Sequence, residues 1–306
     1  MIKKLLLALF VGIILIVGGF IAINNSVKPV SGDDSVHSFL ITKGSSASQI
    51  GKNLQKEGLI KSSLAFKIYV QFTGRQSKIS AGEFRLSPSQ SLFEIVATLQ
   101  KGPVEIWVTI PEGLRHEEIA QKFADELSKD NQFVNEFIAL SSTHEGYLFP
   151  DTYLFPKSTT ASKIVEKMLS TFDIRTKTGV TENQVIMASI IERETKGDAE
   201  KPVVAGILYK RIENEWPLQV DASIQYAKGD WKPILSSDKE LNSSYNTYKF
   251  QGLPIGPISN PGIASINAAV NPTTSDYWYY LHDEKGVIHY GLDLDDHNAN
   301  IRKYLW

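Results

Sequence analysis

Hydrophobic and polar residues are distributed differently at the start of the chain and in the remainder. Residues 5–27 contain no charged side chain, and a run of this length can cross the hydrocarbon core of a bilayer as one helix. Lys3 and Lys4 precede the run. The positive-inside bias therefore predicts a cytoplasmic tip at residues 1–4 and places everything after residue 28 outside the cytoplasm. A cleaved signal peptide is the alternative, but its apolar part is about 7–15 residues long, and INNSVKP offers no good cleavage site.

The next part of the chain combines strand-like and helix-like patterns. Residues 28–38 are polar, with Pro, Gly and Ser, and predict a short linker. Beyond it, three turns containing Gly or Ser are each followed by an apolar pair at spacing i, i+4, which predicts a short amphipathic helix. The pairs are Ile50 with Leu54, Ile95 with Leu99, and Ile119 with Phe123. Strand-like residues precede each turn and the copies are unequally spaced, so we predict a small α+β module over residues 39–140 rather than a solenoid.

These turn-and-helix sequences resemble the LysM-like modules that bind glycan strands of peptidoglycan. An ordinary α+β packing unit is the alternative, because any turn from a strand into a helix favours the same residues.

The second half of the chain, residues 141–306, predicts a larger α+β domain. It opens with HEGYLFPDTYLFPKSTT at residues 144–160, where two prolines interrupt a run of aromatic residues and exclude one regular helix. Such a segment is either a buried crossover loop or the wall of a binding cleft. Near the end, DYWYYLHDEKGVIHYG predicts a β-hairpin that turns at residues 284–286, with its aromatic residues in the core.

Two carboxylates stand at the end of a predicted helix in this domain. A Thr-x-x-Gln capping box at residues 181–184 and a closing Gly197 predict a helix of about four turns. Glu192 and Glu194 lie at its C-terminal end, against an apolar helix body. Desolvation and the negative pole of the helix both disfavour ionisation there, which keeps a carboxyl group protonated as a general acid. The alternative is an exposed ion pair between Glu192 and Lys196 at spacing i, i+4.

Two further stretches carry polar groups that suit a cleft. Gln219 and Asp221 would point into it from a strand, although Asp221 is also placed to cap a helix that runs to Gly229. Residues 243–262 are too rich in Gly and Pro for a core element and too apolar for a flexible linker. We expect a rigid loop that lines a site.

Composition narrows the chemistry further. The 306 residues are 42% hydrophobic and 22% charged, which is typical of a globular protein and excludes wholesale disorder. Cysteine is absent, so disulfides, thiolate metal sites and thiol nucleophiles are excluded. The formal net charge is -2, whereas proteins that bind the nucleic-acid backbone are usually strongly basic, so the charge argues against nucleic acid as a partner. The six histidines are scattered along the chain, and we predict neither a metal nor another cofactor.

Several sequences together resemble one family. EGYLFPDTY, IMASIIERET, the stretch from PVVAGILYKRI to PLQVDASIQYA, SSYNTYKFQGLPIGPISNPG and HNANIRKYLW are similar to the endolytic murein transglycosylases of the YceG-like family. The resemblance implies that Glu192, the first Glu of the A-S-I-[IV]-E-x-E motif, is the general acid and base. It also implies cleft-shaping roles at six matching positions: Glu194, Gln219, Asp221, Tyr245, Asn246 and Thr247. Val220 stands where the family often has Thr or Ser, which affects no assigned role.

The resemblance implies a membrane-anchored enzyme that cleaves the β-1,4 bond between N-acetylmuramic acid and N-acetylglucosamine without water. It would leave 1,6-anhydro ends and terminate glycan elongation, and one protonated Glu suffices for this reaction. Glycan strands, the cell membrane and peptidoglycan synthases are the implied partners, with the catalytic domain periplasmic or extracellular. A muramidase that pairs Glu192 with Glu194 or Asp221 is one alternative. The other is a membrane-tethered wall-binding scaffold, in which Glu192 would be exposed beside Lys196.

Overall fold

The computed structural model describes residues 24–177 and 179–305, and these residues form a mixed α+β fold. The predicted fold class is therefore confirmed at this level. The predicted membrane helix falls, apart from its last four positions, outside the described residues. Within the described ranges, no helix has the length and apolar character needed to span a bilayer. The described residues form two compact units: residues 24–108 with 153–158, and residues 109–152 with 159–177 and 179–305.

The first unit is built on a four-stranded sheet with helices inserted between its strands. Its elements are β1 (His37–Ile41), α1 (Ala47–Lys56), α2 (Ser63–Phe72), β2 (Gly82–Leu86), α3 (Leu92–Gln100), β3 (Glu105–Thr109) and β4 (Thr152–Pro156). The strand order is β1-β2-β3-β4. Strands β1 and β2 are antiparallel, with His37 opposite Leu86, and β2 is antiparallel to β3 at Glu83 and Glu105.

The local sequence explains the helices of this unit. The Ser46 side chain caps α1 by accepting from the backbone N–H of Gln49, and Ser91 with Glu94 forms a capping box at α3. The apolar pairs predicted in α1 and α3 are buried in the core of the unit, as the i, i+4 spacing requires. Helix α2 was not apparent from that pattern.

The segment predicted as a linker is attached to the first unit at its beginning. The backbone N–H of Leu92 donates to the Val27 carbonyl at 3.0 Å, and the N–H of Val30 donates to the Pro88 carbonyl at 3.0 Å. The Ser87 hydroxyl donates to the Asp33 carbonyl at 2.9 Å. Residues 27–33 are thus held against the unit.

The second unit is mostly helical. Its elements are α4 (His116–Leu127), α5 (Asn131–Ser141), α6 (Ala161–Thr176), α7 (Glu182–Glu194), α8 (Lys201–Glu213), α9 (Asp221–Lys228), α10 (Ile263–Val270), β5 (Tyr279–His282), β6 (Ile288–Gly291) and α11 (Leu294–Tyr304). Strands β5 and β6 pair as the predicted hairpin, whose turn contains residues 284–286. The compact units divide the chain at residue 108, whereas the sequence boundary is at 140, because α5 packs on both α4 and α6.

Helix α7 is the centre of the second unit's core. The predicted capping box is present, with Thr181 and Gln184 bonded reciprocally. All seven residues from 185 to 191 are buried, so the helix is enclosed on every side by α8, α9 and α10. The helix ends at Glu194, followed by extended Thr195, and not at the predicted Gly197.

The aromatic segment at 144–160 belongs to the protein interior. Leu148, Phe149, Tyr153 and Phe155 are all buried. This placement favours the crossover-loop interpretation of the segment over the cleft-wall interpretation.

Candidate active site

Glu194 is the last residue of α7, and its carboxylate faces polar groups from two other elements. The hydroxyl of Tyr280 on β5 donates to its Oε2 at 2.8 Å, and the backbone N–H of Ala222 in the first turn of α9 also donates to the carboxylate. Burial raises the pKa of Glu194 to about 7, and the charge of Asp221 adds to the effect. The hydrogen bond from Tyr280 and the charge of Arg211 act in the opposite direction. Glu194 can therefore exchange a proton near neutral pH.

Glu194 borders an open pocket with a volume of about 260 Å³. Side chains from α7, α8, the loop before α9, the β5 strand and α11 converge on it. The lining residues are Glu194, Arg211, Gln219, Lys239, Tyr248, Tyr279, Tyr280 and His297. Three tyrosine rings and several hydrogen-bonding groups give the pocket both flat apolar faces and polar edges.

Arg211 connects two of the segments that form the pocket. Its Nη1 donates to the Leu218 carbonyl at 2.7 Å, while Nε and Nη2 donate to the Trp278 carbonyl at 3.0 and 2.6 Å. These carbonyls directly precede Gln219 and Tyr279. The guanidinium is buried and is satisfied by neutral carbonyl oxygens, so its positive charge acts on the pocket.

His297 lies on the first turns of α11, and its ring stacks on Tyr279 with centroids 4.9 Å apart. Burial lowers the pKa of His297, and the charge of Arg211 lowers it further, so the imidazole is neutral at neutral pH. Its Nδ1 is buried and has no hydrogen-bond partner among the residues that the structure describes. Burial also raises the pKa of Tyr280 well above its usual range, which keeps that hydroxyl a donor.

Gln219 and Asp221 lie just before and at the start of α9 and not on the strand that the sequence predicts, and of the two Gln219 belongs to the pocket lining. Gln219 has a left-handed backbone, with φ of 53°, fixed by a hydrogen bond from its N–H to the Thr247 carbonyl at 3.0 Å. Asp221 begins α9, which ends at Gly229, but its side chain does not cap the helix. Its carboxylate instead accepts a hydrogen bond from the hydroxyl of Tyr248.

Asn246 and Thr247 do not belong to the pocket lining. Their hydrogen bonds hold two segments that do contribute to it. The Asn246 side chain donates to the carbonyls of Lys239 and Leu241 at 2.9 and 2.7 Å. The Thr247 hydroxyl oxygen accepts from the backbone N–H of Val220 at 3.0 Å. Both side chains are buried. They fix the loop that carries Tyr248 and the segment that carries Gln219.

Tyr245 packs away from the pocket lining. Its ring lies 4.8 Å from that of Tyr226, centroid to centroid, at the side of the core near Glu145. Of the seven residues singled out in the sequence, Glu194 and Gln219 line the pocket and Asp221 reaches it through Tyr248.

Glu192 lies in a different environment from Glu194. Its Oε1 accepts from Lys201 Nζ at 3.0 Å, and its Oε2 accepts from the Gly262 N–H at 2.9 Å and the Ser265 hydroxyl at 2.7 Å. Only 9% of the side chain is exposed. Glu192 therefore forms a buried ion pair with Lys201 and not the exposed pair with Lys196 that the spacing suggested. Residues at i and i+2 of a helix point about 200° apart, which explains why Glu192 is absent from the pocket lining.

Glu112 adds another carboxylate beside this ion pair. Burial raises the pKa of Glu112, and the charge of Glu192 raises it further. The Glu112 carboxylate lies so close to the backbone at position 262 that only glycine fits there, because a Cβ would lie 1.7 Å from Glu112 Oε1.

A group of possible metal ligands occurs elsewhere in the described residues. His116, Glu117 and Glu145 bring ligand atoms within 4.8 Å of one another. However, Glu145 already accepts from Asn260 Nδ2 at 2.6 Å and from the Tyr226 hydroxyl at 3.3 Å, and its Oε2 lies 2.7 Å from His116 Nδ1. The donors around Glu145 make this group a hydrogen-bond network that joins the segment at 145 to the loop at 260.

Sequence reasoning missed several pocket residues. Tyr279 and Tyr280 were expected in the core; Tyr280 does pack against the core of the second unit, and both residues also line the pocket. Tyr248 directly follows the predicted residues Tyr245, Asn246 and Thr247. Of the pocket residues that were missed, it is the one that the sequence came nearest to identifying. Arg211 and His297 lie within PVVAGILYKRI and HNANIRKYLW, two of the stretches that carry the family resemblance, but neither residue was singled out, and Lys239 gave no distinguishing pattern.

The family model described as YceG-like matches residues 39–303 of the chain. The chain belongs to the YceG-like family. A Bacillus subtilis protein named endolytic murein transglycosylase is 32% identical over 330 residues, covering 95% of this chain and 91% of that protein. A Streptococcus pneumoniae protein of the same name is 28% identical over 341 residues, and the match covers 94% of this chain.

This YceG-like chain spans 62% of the length of the pneumococcal relative. Among solved structures, the crystal structure of a YceG-like protein from Listeria monocytogenes is similar with a TM-score of 0.59 and 30% sequence identity. That match covers 86% of this chain and 98% of the Listeria chain.

Proposed function

We propose that this protein is an endolytic murein transglycosylase that cleaves peptidoglycan glycan strands, with Glu194 as its acid and base. The observation that carries the proposal is the Glu194 carboxyl group, which among the described residues is the one carboxyl group in the pocket lining and whose pKa burial raises to about 7. The names of the Bacillus and Streptococcus relatives support the same activity.

In the first step, protonated Glu194 gives its proton to the glycosidic oxygen between N-acetylmuramic acid and N-acetylglucosamine. The bond from C1 to this oxygen breaks, and the electron pair leaves with the N-acetylglucosamine hydroxyl. Burial raises the pKa of Glu194 to about 7 and thereby favours the protonated form that this step needs.

In the second step, the muramoyl C6 hydroxyl attacks C1 and gives its proton to the Glu194 carboxylate. A 1,6-anhydro ring forms, Glu194 is protonated again, and no water is consumed. The Tyr280 hydroxyl and the Ala222 N–H stabilise the carboxylate between the two proton transfers.

The same geometry argues for Glu194 and against Glu192, which the sequence resemblance favours. Glu192 is occupied by the Lys201 ammonium, the Gly262 N–H and the Ser265 hydroxyl. Glu192 also lies outside the lining of the pocket that Glu194 borders. We infer that Glu192 holds the end of α7 while Glu194 carries out the chemistry.

A muramidase is the second candidate, and the observation that favours it is the position of Asp221. Its carboxylate accepts from Tyr248, which lines the pocket with Glu194. Hydrolysis would use this second carboxylate as a nucleophile or as a base for water. The scaffold alternative loses support, because its expected exposed pair of Glu192 and Lys196 is replaced by the buried pair with Lys201.

We further propose that the region predicted as LysM-like, residues 39–140, binds glycan strands, with residues 37–86 as its module. The support is their β1-α1-α2-β2 order, with the two strands paired antiparallel. The uncharged run at 5–27 supports an anchor in the cell membrane, with the second unit periplasmic or extracellular. Cleavage there would terminate growing strands made by peptidoglycan synthases, which are the expected partners.

The decisive experiment digests purified glycan strands with the full chain in ¹⁸O-labelled water. Mass spectrometry should find 1,6-anhydromuramoyl ends without ¹⁸O, because the attacking oxygen belongs to the sugar. Reducing muramic acid ends that carry ¹⁸O at C1 would identify a muramidase. Intact strands would leave the scaffold function.

A further inference from the structure

Helix α2 presents apolar residues on two opposite faces. Phe66 and Val70 are buried in the core of the first unit, as expected of a packed helix. On the other side, Leu64, Ile68 and Phe72 are 63%, 55% and 93% exposed. Their spacing of four residues aligns them in one stripe along the helix. A single exposed apolar residue needs no explanation, but a contiguous stripe indicates an interaction surface.

Basic residues surround this stripe in the sequence. Residues 43–78 carry only one acidic residue, Glu57, although the whole chain has a formal net charge of -2. The same range contains seven basic residues: Lys43, Lys52, Lys56, Lys61, Lys67, Arg75 and Lys78. Among the residues that the structure describes, none of these lysines forms an ion pair. The chain segment that contains α1 and α2 therefore carries uncompensated positive charge.

The first unit begins directly where the uncharged run ends. Val27 is the last residue of that run, and it packs against the core of the unit. Its carbonyl accepts from the Leu92 N–H at 3.0 Å. If residues 5–27 span the bilayer, the unit is held at the membrane surface without an intervening spacer.

We propose that the surface formed by α1 and α2 binds the anionic face of a lipid bilayer, with Leu64, Ile68 and Phe72 inserted among the lipids. An apolar helix face flanked by Lys and Arg binds at such an interface by burying apolar area and by attraction to acidic headgroups. An aromatic ring such as that of Phe72 adds a large apolar area to the inserted face.

The same charges argue against a second copy of this chain as the occupant. Two such surfaces facing each other would bring the lysines of both copies together, and like charges across an interface disfavour association. An acidic lipid surface offers the opposite charge together with an apolar interior.

The test uses the full chain in vesicles, and the absence of native cysteine makes single-site labelling simple. Ile68→Cys carries a fluorophore on the stripe. Ile174→Cys on α6 is the matched control, because Ile174 is also an exposed helical isoleucine, at 68%. The vesicles contain phosphatidylcholine with brominated acyl chains, with or without phosphatidylglycerol.

Bromine should quench the label at position 68 several-fold more than the label at 174, and phosphatidylglycerol should increase the difference. The charge-reversal variant with Lys61→Glu and Lys78→Glu, both exposed positions, should lose the effect of phosphatidylglycerol. Equal quenching at 68 and 174 would overturn the proposal. So would a label at 68 that is shielded from water yet not quenched by bromine, because a protein would then cover the stripe. None of these results depends on whether the pocket cleaves glycan.

Discussion

Glu192 and Glu194 are separated by one residue at the end of α7, and their carboxylates have no hydrogen-bond donor in common. Glu192 is bound by a buried lysine, while Glu194 is bound by neutral donors at the edge of a pocket. The end of the helix thus gives the two carboxylates of one short motif different surroundings, a buried ion pair for Glu192 and a pocket edge for Glu194.

Glu194→Gln should abolish glycan cleavage while the fold is retained. The amide is nearly the size of the carboxyl group and keeps its hydrogen-bonding capacity, but it cannot give up a proton at neutral pH. Loss of a group that serves both steps should lower turnover by more than the usual ~10²–10⁴-fold. Turnover is measured by chromatography of released anhydro-muropeptides.

Glu192→Gln is the control for this prediction. It should leave measurable turnover but lower the denaturation midpoint, since the buried Lys201 would lose its ionic partner. A dead Glu192 variant beside an active Glu194 variant would reverse the two roles.

Asp221→Asn should shift the alkaline limb of the pH–rate profile to lower pH. The Asp221 charge raises the pKa of Glu194, so its removal lowers that pKa from about 7. The catalytic acid is then lost at a lower pH. The profile of kcat/KM reports this shift for the free enzyme. A limb that stays in place would show that the observed group is not Glu194.

Arg211→Met should move the same limb in the opposite direction and reduce turnover. The Arg211 cation lowers the pKa of Glu194, and its side chain joins the segments that carry Gln219 and Tyr279. Arg211→Lys separates the two effects, because lysine keeps the charge but lacks the planar fork of donors. We expect the Lys variant to lose turnover with little movement of the limb; identical profiles for both variants would refute the electrostatic role.

Gly206→Ala should destabilise the protein, whereas Gly197→Ala should not. A Cβ at position 206 would lie 1.9 Å from the Thr273 carbonyl oxygen, which is backbone and is tied to α8 through the bond from the Thr273 N–H to the Pro202 carbonyl. Overpacking of this kind typically costs ~1–3 kcal/mol. No atom lies within 4 Å of a Cβ at Gly197. Urea denaturation compares the two variants, and equal midpoints would mean that the loop at 273 shifts freely.

Local signals predicted much of the fold, because caps and apolar spacing act within a few residues. The capping box of α7, the apolar pairs of α1, α3 and α4, and the C-terminal hairpin were all apparent in the sequence. Helix α2 was not predicted, because its apolar residues occur on both faces and the sequence therefore lacks the amphipathic period of a helix.

The site itself depends on contacts that the sequence does not reveal. Glu194 meets Tyr280 across 86 positions, and Glu192 meets Ser265 across 73. Which of two glutamates faces the pocket depends on how α7 is rotated against its neighbours, and this is decided by packing. Sequence spacing alone predicted Lys196 as the partner of Glu192. The start of α8 instead places Lys201 within 3.0 Å of the Glu192 carboxylate.

The C-terminal hairpin has a consequence for the order in which activity arises during synthesis. The pocket lining includes Tyr279, Tyr280 and His297, and the Trp278 carbonyl accepts hydrogen bonds from Arg211. A chain released before position 278 would carry Glu194 without these groups. The pocket is therefore completed last, when the C-terminal hairpin and α11 have been translated.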